Sequence, residues 1–214
     1  AGKGQRMKSN LPKVMHKIAG QPMIKWLIDT AEQLNPTKII VVSAPEQTEL
    51  EKTVAPHLVA IQKEQRGTGD AVRPAMEHLK NFKGKILILL GDEPFVDIET
   101  LREMIAHEVL SVMAVHQDFP SSLGRMKLNK DGTLDSIIEE KDCSPAQREI
   151  ALRNAGNFCI PGEYLSKWLN ALENKNAQGE YYLTDVPQLA KKDGFQTHVF
   201  ETYVEHVWGI NTRA

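Results

Sequence analysis

Two short runs of almost uninterrupted apolar residues, KIIVVSA at 38–44 and KILILLGD at 85–92, stand out from a chain otherwise patterned in steps of three and four. Runs of this length predict strands buried on both faces, as in a parallel sheet. PMIKWLIDTAEQL (22–34), GDAVRPAMEHLKNF (69–82) and DIETLREMIAHE (97–108) place their apolar residues at helical spacing, and LSVMAVHQ (110–117) reads as another strand. The alternation β-α-β-α-β implies right-handed crossovers and a mixed, mostly parallel sheet with helices on both faces.

After residue 118 the texture changes. RMKLNKDGTLDSIIEEKD (125–142) holds two alternating segments around Asp131-Gly132, a strong hairpin signal. NAGNFCI (154–160) and THVFETY (197–203) are strand-like. EYLSKWLNALEN (163–174) and TDVPQLAKKDG (184–194) predict helices, the second closed by Gly194. The fold class expected is therefore α/β, one domain over 1–214, with a nucleotide-binding half (1–118) followed by an antiparallel, hairpin-rich half (119–214).

Composition narrows the function classes. The 214 residues carry 41% hydrophobic and 25% charged residues, ordinary for a soluble globular protein, and a net charge of −2 gives no global reason to expect nucleic acid. The sequence has no signal peptide and no apolar run long enough to span a bilayer, so a cytoplasmic protein without membrane contact is expected. Cys143 and Cys159 form no C-x-x-C pair and read as free thiols.

Basic residues concentrate in AGKGQRMKSNLPKVMHKIAG (1–20). Gly2 and Gly4 permit a tight turn that brings backbone N–H groups to a ligand, Arg6 offers a bidentate fork to phosphate oxygens, and Lys13 supplies a point charge behind Pro12. The stretch is neither a Walker A loop nor G-x-G-x-x-G, and a plain solvated basic loop is the other reading. In LGDEP (90–94), Asp92 follows a buried apolar strand at the place where open α/β sheets bind ligands. It is a candidate to hold a hard divalent cation, to cap the helix beginning near Asp97, or to accept bonds from a turn. QKEQRGTGDAV (62–72) adds a second glycine turn, which is also a routine helix start; Gln62, with both a donor and an acceptor, is a candidate for the O4/N3–H edge of a uracil. Glu139, Glu140 and Asn154 suit sugar hydroxyls, or equally a polar surface.

Taken together these segments resemble the bacterial N-acetylglucosamine-1-phosphate uridyltransferases, in particular the N-terminal half of the bifunctional enzymes that also acetylate glucosamine-1-phosphate. The resemblance rests on AGKGQRM and LPK (1–7 and 11–13), QKEQRGTGDA (62–71), GDEPF (91–95), IIEEKD (137–142), GINTR (209–213) and, most specifically, the intact NAQGEYYLTD (176–185). It implies a Rossmann-like nucleotidyltransferase fold. The activity implied is synthesis of UDP-N-acetylglucosamine and pyrophosphate from UTP and N-acetylglucosamine-1-phosphate, for cell-wall and lipopolysaccharide precursors, with Mg²⁺ as cofactor. It further implies that Ala1, Gly2 and Lys13 contact the nucleotide, with Arg6 at the triphosphate. Gln62, Gly67 and Thr68 read the uracil, and Leu90 and Gly91 line the nucleotide pocket. Asp92 and Asn211 hold Mg²⁺, while Gly124, Glu139 and Asn154 bind the amino sugar. Gln5, Asp70, Leu123 and Ala155 depart from the family pattern, the last two beside the sugar site. The rival readings are a related enzyme with another sugar phosphate or nucleotide, and a non-catalytic nucleotide-sugar binder.

The central first strand of such a fold is expected before Ala1, which implies a longer natural protein. These residues carry no hexapeptide repeat and so no acetyltransferase activity. The fragment is expected to be a monomer, with a trimer possible for a protein carrying the acetyltransferase domain.

Overall fold

The apolar runs and amphipathic stretches fold as a central mixed sheet flanked by helices, in a computed structural model that describes residues 7–9, 11–117 and 121–210. Lys17–Ile18 (β1) and Gln21–Pro22 (β2) pair as a small hairpin leading into the helix Met23–Glu32 (α1). Ile40–Ser43 (β3) and Leu58–Ile61 (β4) are parallel neighbours joined through Thr48–Val54 (α2). Then come Thr68–Val72 (α3), Lys85–Ile88 (β5), Ile98–Ala106 (α4) and Leu110–His116 (β6). The second half contributes Arg125–Leu128 (β7), Leu134–Ile138 (β8), Pro145–Arg148 (α5), Leu152–Pro161 (β9), Gly162–Ala171 (α6), Val186–Lys192 (α7) and Thr197–Thr202 (β10).

β6 is central. It runs parallel to β10 on one side and antiparallel to β9 on the other. Its alternate residues enter two different cores, as a strand period of two requires. Leu110, Val112 and Ala114 join Phe158, Ile160, Trp168 and Leu169, while Met113 and Val115 join Ile24, Leu27, Leu101 and Met104. Helices α6 and α7 thus cover one face, and α1, α2 and α4 the other.

The sheet is mixed, but the parallel share is smaller than expected. Among the described residues only β3 with β4 and β6 with β10 pair in parallel. β5 and β6, both expected in a mostly parallel sheet, are separated by the antiparallel β9: Phe158 pairs with Ile88 on one side and Val112 on the other. The reason is the burial of β9 on both faces, which lets a strand from the second half insert at the centre of the sheet. β5 and β6 of the first half therefore share a six-stranded sheet with the strands of the second half, while β3 and β4 form a two-stranded sheet of their own.

Other differences are local. The stretch 69–82 is not one helix: α3 gives way to a 3-10 helix over Arg73–Leu79, because Pro74 lacks the N–H that an α-helix needs there. The LVAI strand β4 went unpredicted. The hairpin signal is met, with Gly132 at φ +82° and the Asn129 N–H donating to the Thr133 carbonyl at 2.8 Å.

Candidate functional site

β5 ends at Ile88, and the chain turns immediately. The Glu93 N–H donates to the Leu90 carbonyl at 3.1 Å, closing a turn that carries Gly91 and Asp92. The Lys13 ammonium donates to Asp92 Oδ2 in a part-buried ion pair. A Cβ on Gly91 would lie 3.2 Å from a Val14 methyl, so the segment around Lys13 lies directly against this turn. Asp97, and not Asp92, caps α4, accepting from the Thr100 N–H at 2.9 Å. Of the sequence readings of Asp92, the helix cap is therefore excluded. The Ile210 N–H donates to the Asp92 carbonyl at 3.0 Å, which brings the chain to this turn just before Asn211.

Beneath the turn lies a polar pair that the sequence did not reveal. Asn157, from the middle of β9, accepts from the Leu90 N–H at 3.2 Å and donates to Glu93 Oε2 at 2.8 Å. Glu93 is 3% exposed. Burial pushes its carboxyl up to about 8, with the neighbouring Asp92 charge acting in the same direction and the Asn157 hydrogen bond and Lys13 opposing. Leu90 also abuts β9 at Gly156, which has φ +82° and where a Cβ would come within 2.4 Å of Leu90 Cδ1.

Gln62 leaves the C-terminal end of β4, its N–H donating to the Ser43 carbonyl at 2.8 Å. Its side chain is buried and donates from Nε2 to Asp70. The glycine turn that follows docks on the NAQGEYYLTD segment. The Gly69 N–H donates to the Tyr181 carbonyl at 2.8 Å, the Tyr181 N–H donates to the Arg66 carbonyl at 2.8 Å, and the Leu183 N–H donates to Thr68 Oγ1 at 2.9 Å. Gly67, at φ +118°, passes so close that a Cβ would meet the Tyr181 carbonyl oxygen at 2.6 Å. The most specific motif of the sequence is thus the support on which the Gly67-Thr68-Gly69 turn rests.

The three sugar candidates come together. The Asn154 N–H donates to the Gly124 carbonyl at 2.8 Å, and a Cβ on Gly124 would lie 3.7 Å from Glu139 Oε2. Asn154 Oδ1 accepts from the Gly156 N–H at 3.0 Å. Glu139 accepts from the Thr184 hydroxyl at 2.8 Å. Burial raises the Glu139 carboxyl, Thr184 pulls it back, and Asp185, Asp142 and Glu180 push it further up. The sequence reading did not single out Thr184 as a partner of Glu139, although it sits in the intact NAQGEYYLTD. Leu123 and Ala155 pack into the apolar cluster under α1 and α4, so they act on this region through packing.

A cavity of about 340 Å³ opens beside Glu139, walled also by Asp142, Glu173, Tyr182 and Asp185. Its four carboxylates outnumber the single cation Lys175, a balance unfavourable to a triphosphate, and Lys13, Gln62 and Asp92 are not among its walls. Ala1, Gly2, Gln5, Arg6 and Asn211 lie outside the described residues. Among the described residues no cluster of three or more His, Cys, Asp or Glu forms a ready metal cage, and no helix is long and apolar enough to cross a membrane. Both cysteines are buried free thiols.

Comparison with known proteins places this geometry. The model of the MobA-like NTP transferase domain matches residues 1–138. The bifunctional protein GlmU of Neisseria meningitidis serogroup B is 41% identical over 218 residues, covering 100% of this chain and 47% of that protein. The same protein of Chromobacterium violaceum is 46% identical over 221 residues, covering 100% and 48%. The chain thus spans about half the length of the curated relatives it matches. Among solved structures, a putative glucose-1-phosphate thymidylyltransferase from Bacillus anthracis in complex with a sucrose superposes with a TM-score of 0.78 over 99% of this chain and 87% of that one. At 17% identity that likeness shows the fold, which is the nucleotidyltransferase-like α/β fold. With the family model covering well over half of its length, the chain belongs to the family of MobA-like NTP transferase domains.

Proposed function

We propose that this chain transfers a uridylyl group from UTP to N-acetylglucosamine-1-phosphate, giving UDP-N-acetylglucosamine and pyrophosphate. The observation that carries the reading is the pairing of Lys13 with Asp92 on the turn that ends β5. There a cation and a carboxylate meet at the strand end where α/β sheets bind nucleotides.

In this reading an oxygen of the sugar phosphate attacks the α-phosphorus in line, that P–O bond forms, and the bond to pyrophosphate breaks. The nucleophile is an anion at neutral pH, so no side chain has to remove a proton. The protein's task is to hold two polyanions together against their repulsion. Lys13 offsets phosphate charge, with Arg6 assisting, and Ala1, Gly2, Leu90 and Gly91 border the nucleotide. Gln62 and the Gly67-Thr68 backbone read the base. Gly124, Glu139 and Asn154 accept and donate at the sugar.

The donor set suits Mg²⁺. Asp92 offers a hard carboxylate oxygen, and the Ile210-to-Asp92 hydrogen bond leads the chain to it one residue before Asn211. Asp92 and Asn211 would hold the ion, which when bound neutralises charge on phosphate oxygens.

Product analysis over a panel of UTP, dTTP, ATP and GTP against N-acetylglucosamine-1-phosphate and glucose-1-phosphate tests the assignment. UDP-N-acetylglucosamine as the preferred product is expected. Preference for another pair overturns the substrate assignment, and no product with any pair, from folded protein, overturns the activity.

A further inference from the structure

Gln62 is the base-contact candidate whose chemistry the sequence leaves open, because a carboxamide is a donor at one corner and an acceptor at the other. Its neighbour Asp70 removes that ambiguity. Gln62 Nε2 lies 3.2 Å from Asp70 Oδ2. The other oxygen, Oδ1, accepts from Arg66 at 3.0 Å and from Arg73 at 3.2 Å. Asp70 is only 5% exposed. Burial opposes its charge, but the hydrogen bonds from Gln62, Arg66 and Arg73 hold the carboxyl below its usual value. It is therefore an ionised group that only accepts.

Turning the Gln62 carboxamide over would set two oxygens against each other at a buried position, so one orientation is enforced. The carboxylate is itself anchored. The Arg66 and Arg73 guanidiniums lie 5.7 and 4.3 Å from the centre of the Tyr181 ring, and Arg73 donates to the Leu169 carbonyl at 2.9 Å.

We propose that Asp70 is a positioning residue for nucleobase choice: by engaging the Gln62 amide nitrogen it turns the Gln62 carbonyl oxygen toward the base. A carbonyl there attracts the N3–H of uracil and repels the N3 lone pair of cytosine. The inference rests on the uridine-nucleotide reading above.

The test measures calorimetric affinities and kcat/KM for UTP and CTP, with Mg²⁺, in the wild type, Asp70→Asn and Arg66→Met. An asparagine can donate or accept, so both orientations of Gln62 become accessible. The UTP:CTP preference should fall by about tenfold or more in Asp70→Asn, through gain of CTP as much as loss of UTP. It should stay unchanged in Arg66→Met, which keeps the Gln62–Asp70 bond. If Asp70→Asn does not fold, Asp70→Ser, which also frees the carboxamide, takes its place with the same expectation. An unaltered ratio with both nucleotides weakened alike overturns the inference while the functional reading stands. An equal fall in Arg66→Met also overturns it, since loosening of the cluster would then set the ratio. A wild type without preference for UTP overturns both.

Discussion

Lys13 and Asp92 are separated by 79 residues of sequence and joined by an ion pair between a 3-10 turn and the end of β5. The pair draws the basic opening segment onto the turn after β5. It also sets a cation and an anion where a triphosphate and a divalent ion would each find their counter-charge.

Removing the carboxylate should leave the fold and remove the chemistry. Asp92→Ala is expected to lower kcat by about a hundredfold or more, the scale for losing a principal electrostatic group. Steady-state kinetics on protein with an unchanged circular dichroism spectrum checks this. Near-normal turnover would remove Asp92 from the reaction.

Gly67→Ala should be strongly destabilising, because φ +118° disfavours a side chain and a Cβ would stand 2.6 Å from the Tyr181 carbonyl oxygen. The cost is expected to be at least about 2 kcal/mol. Gly132→Ala is the control: it shares a positive φ of +82° but has open space around it. It should cost no more than about 1–2 kcal/mol. Equal costs in urea unfolding would contradict the close approach of the Gly67 turn to Tyr181.

Much of this arrangement was legible in the sequence, and the rest was hidden for identifiable reasons. The turn after KILILLGD and the Asp131-Gly132 hairpin are local events, fixed by residues next to each other. The insertion of β9 between β5 and β6 is not, because an apolar run does not encode which strand lies beside it or in which direction. The same holds within the site. Asp92 and Glu139 stand at recognisable motif positions. The Asn157–Glu93 pair joins two unremarkable polar residues 64 positions apart, and nothing in either segment announces the other. Asp70 was read only as a departure from a pattern, since its bond to Gln62 needs the turn through Gly67 to close.

The buried Glu93 makes stability depend on pH in a defined sense. Its carboxyl is raised from 4.5 to about 8 in the folded protein, so between those values the folded state carries a proton that the unfolded state has released. Stability contributed by the neutral group is complete below the ordinary carboxylate value and is lost as pH rises towards 8. The loss approaches about 1.4 kcal/mol per pH unit in that window. Denaturant unfolding of metal-free protein from pH 5 to 8 should show this decline, and Glu93→Gln should flatten it. A variant with the same slope as the wild type would contradict the assignment.

Glu139 should act on the sugar and not on the nucleotide. Glu139→Gln halves its capacity to accept from hydroxyl groups while keeping its shape. KM for N-acetylglucosamine-1-phosphate is expected to rise about tenfold with KM for UTP unchanged, the scale for one hydrogen bond to a charged acceptor. Parallel changes in both constants would point to a structural role.

The most direct measurement is pyrophosphate release from UTP and N-acetylglucosamine-1-phosphate by the purified protein, with and without Mg²⁺. Release that requires both substrates and the metal is the predicted result. Absence of release from protein shown to be folded, under conditions where UTP binds, would contradict the account.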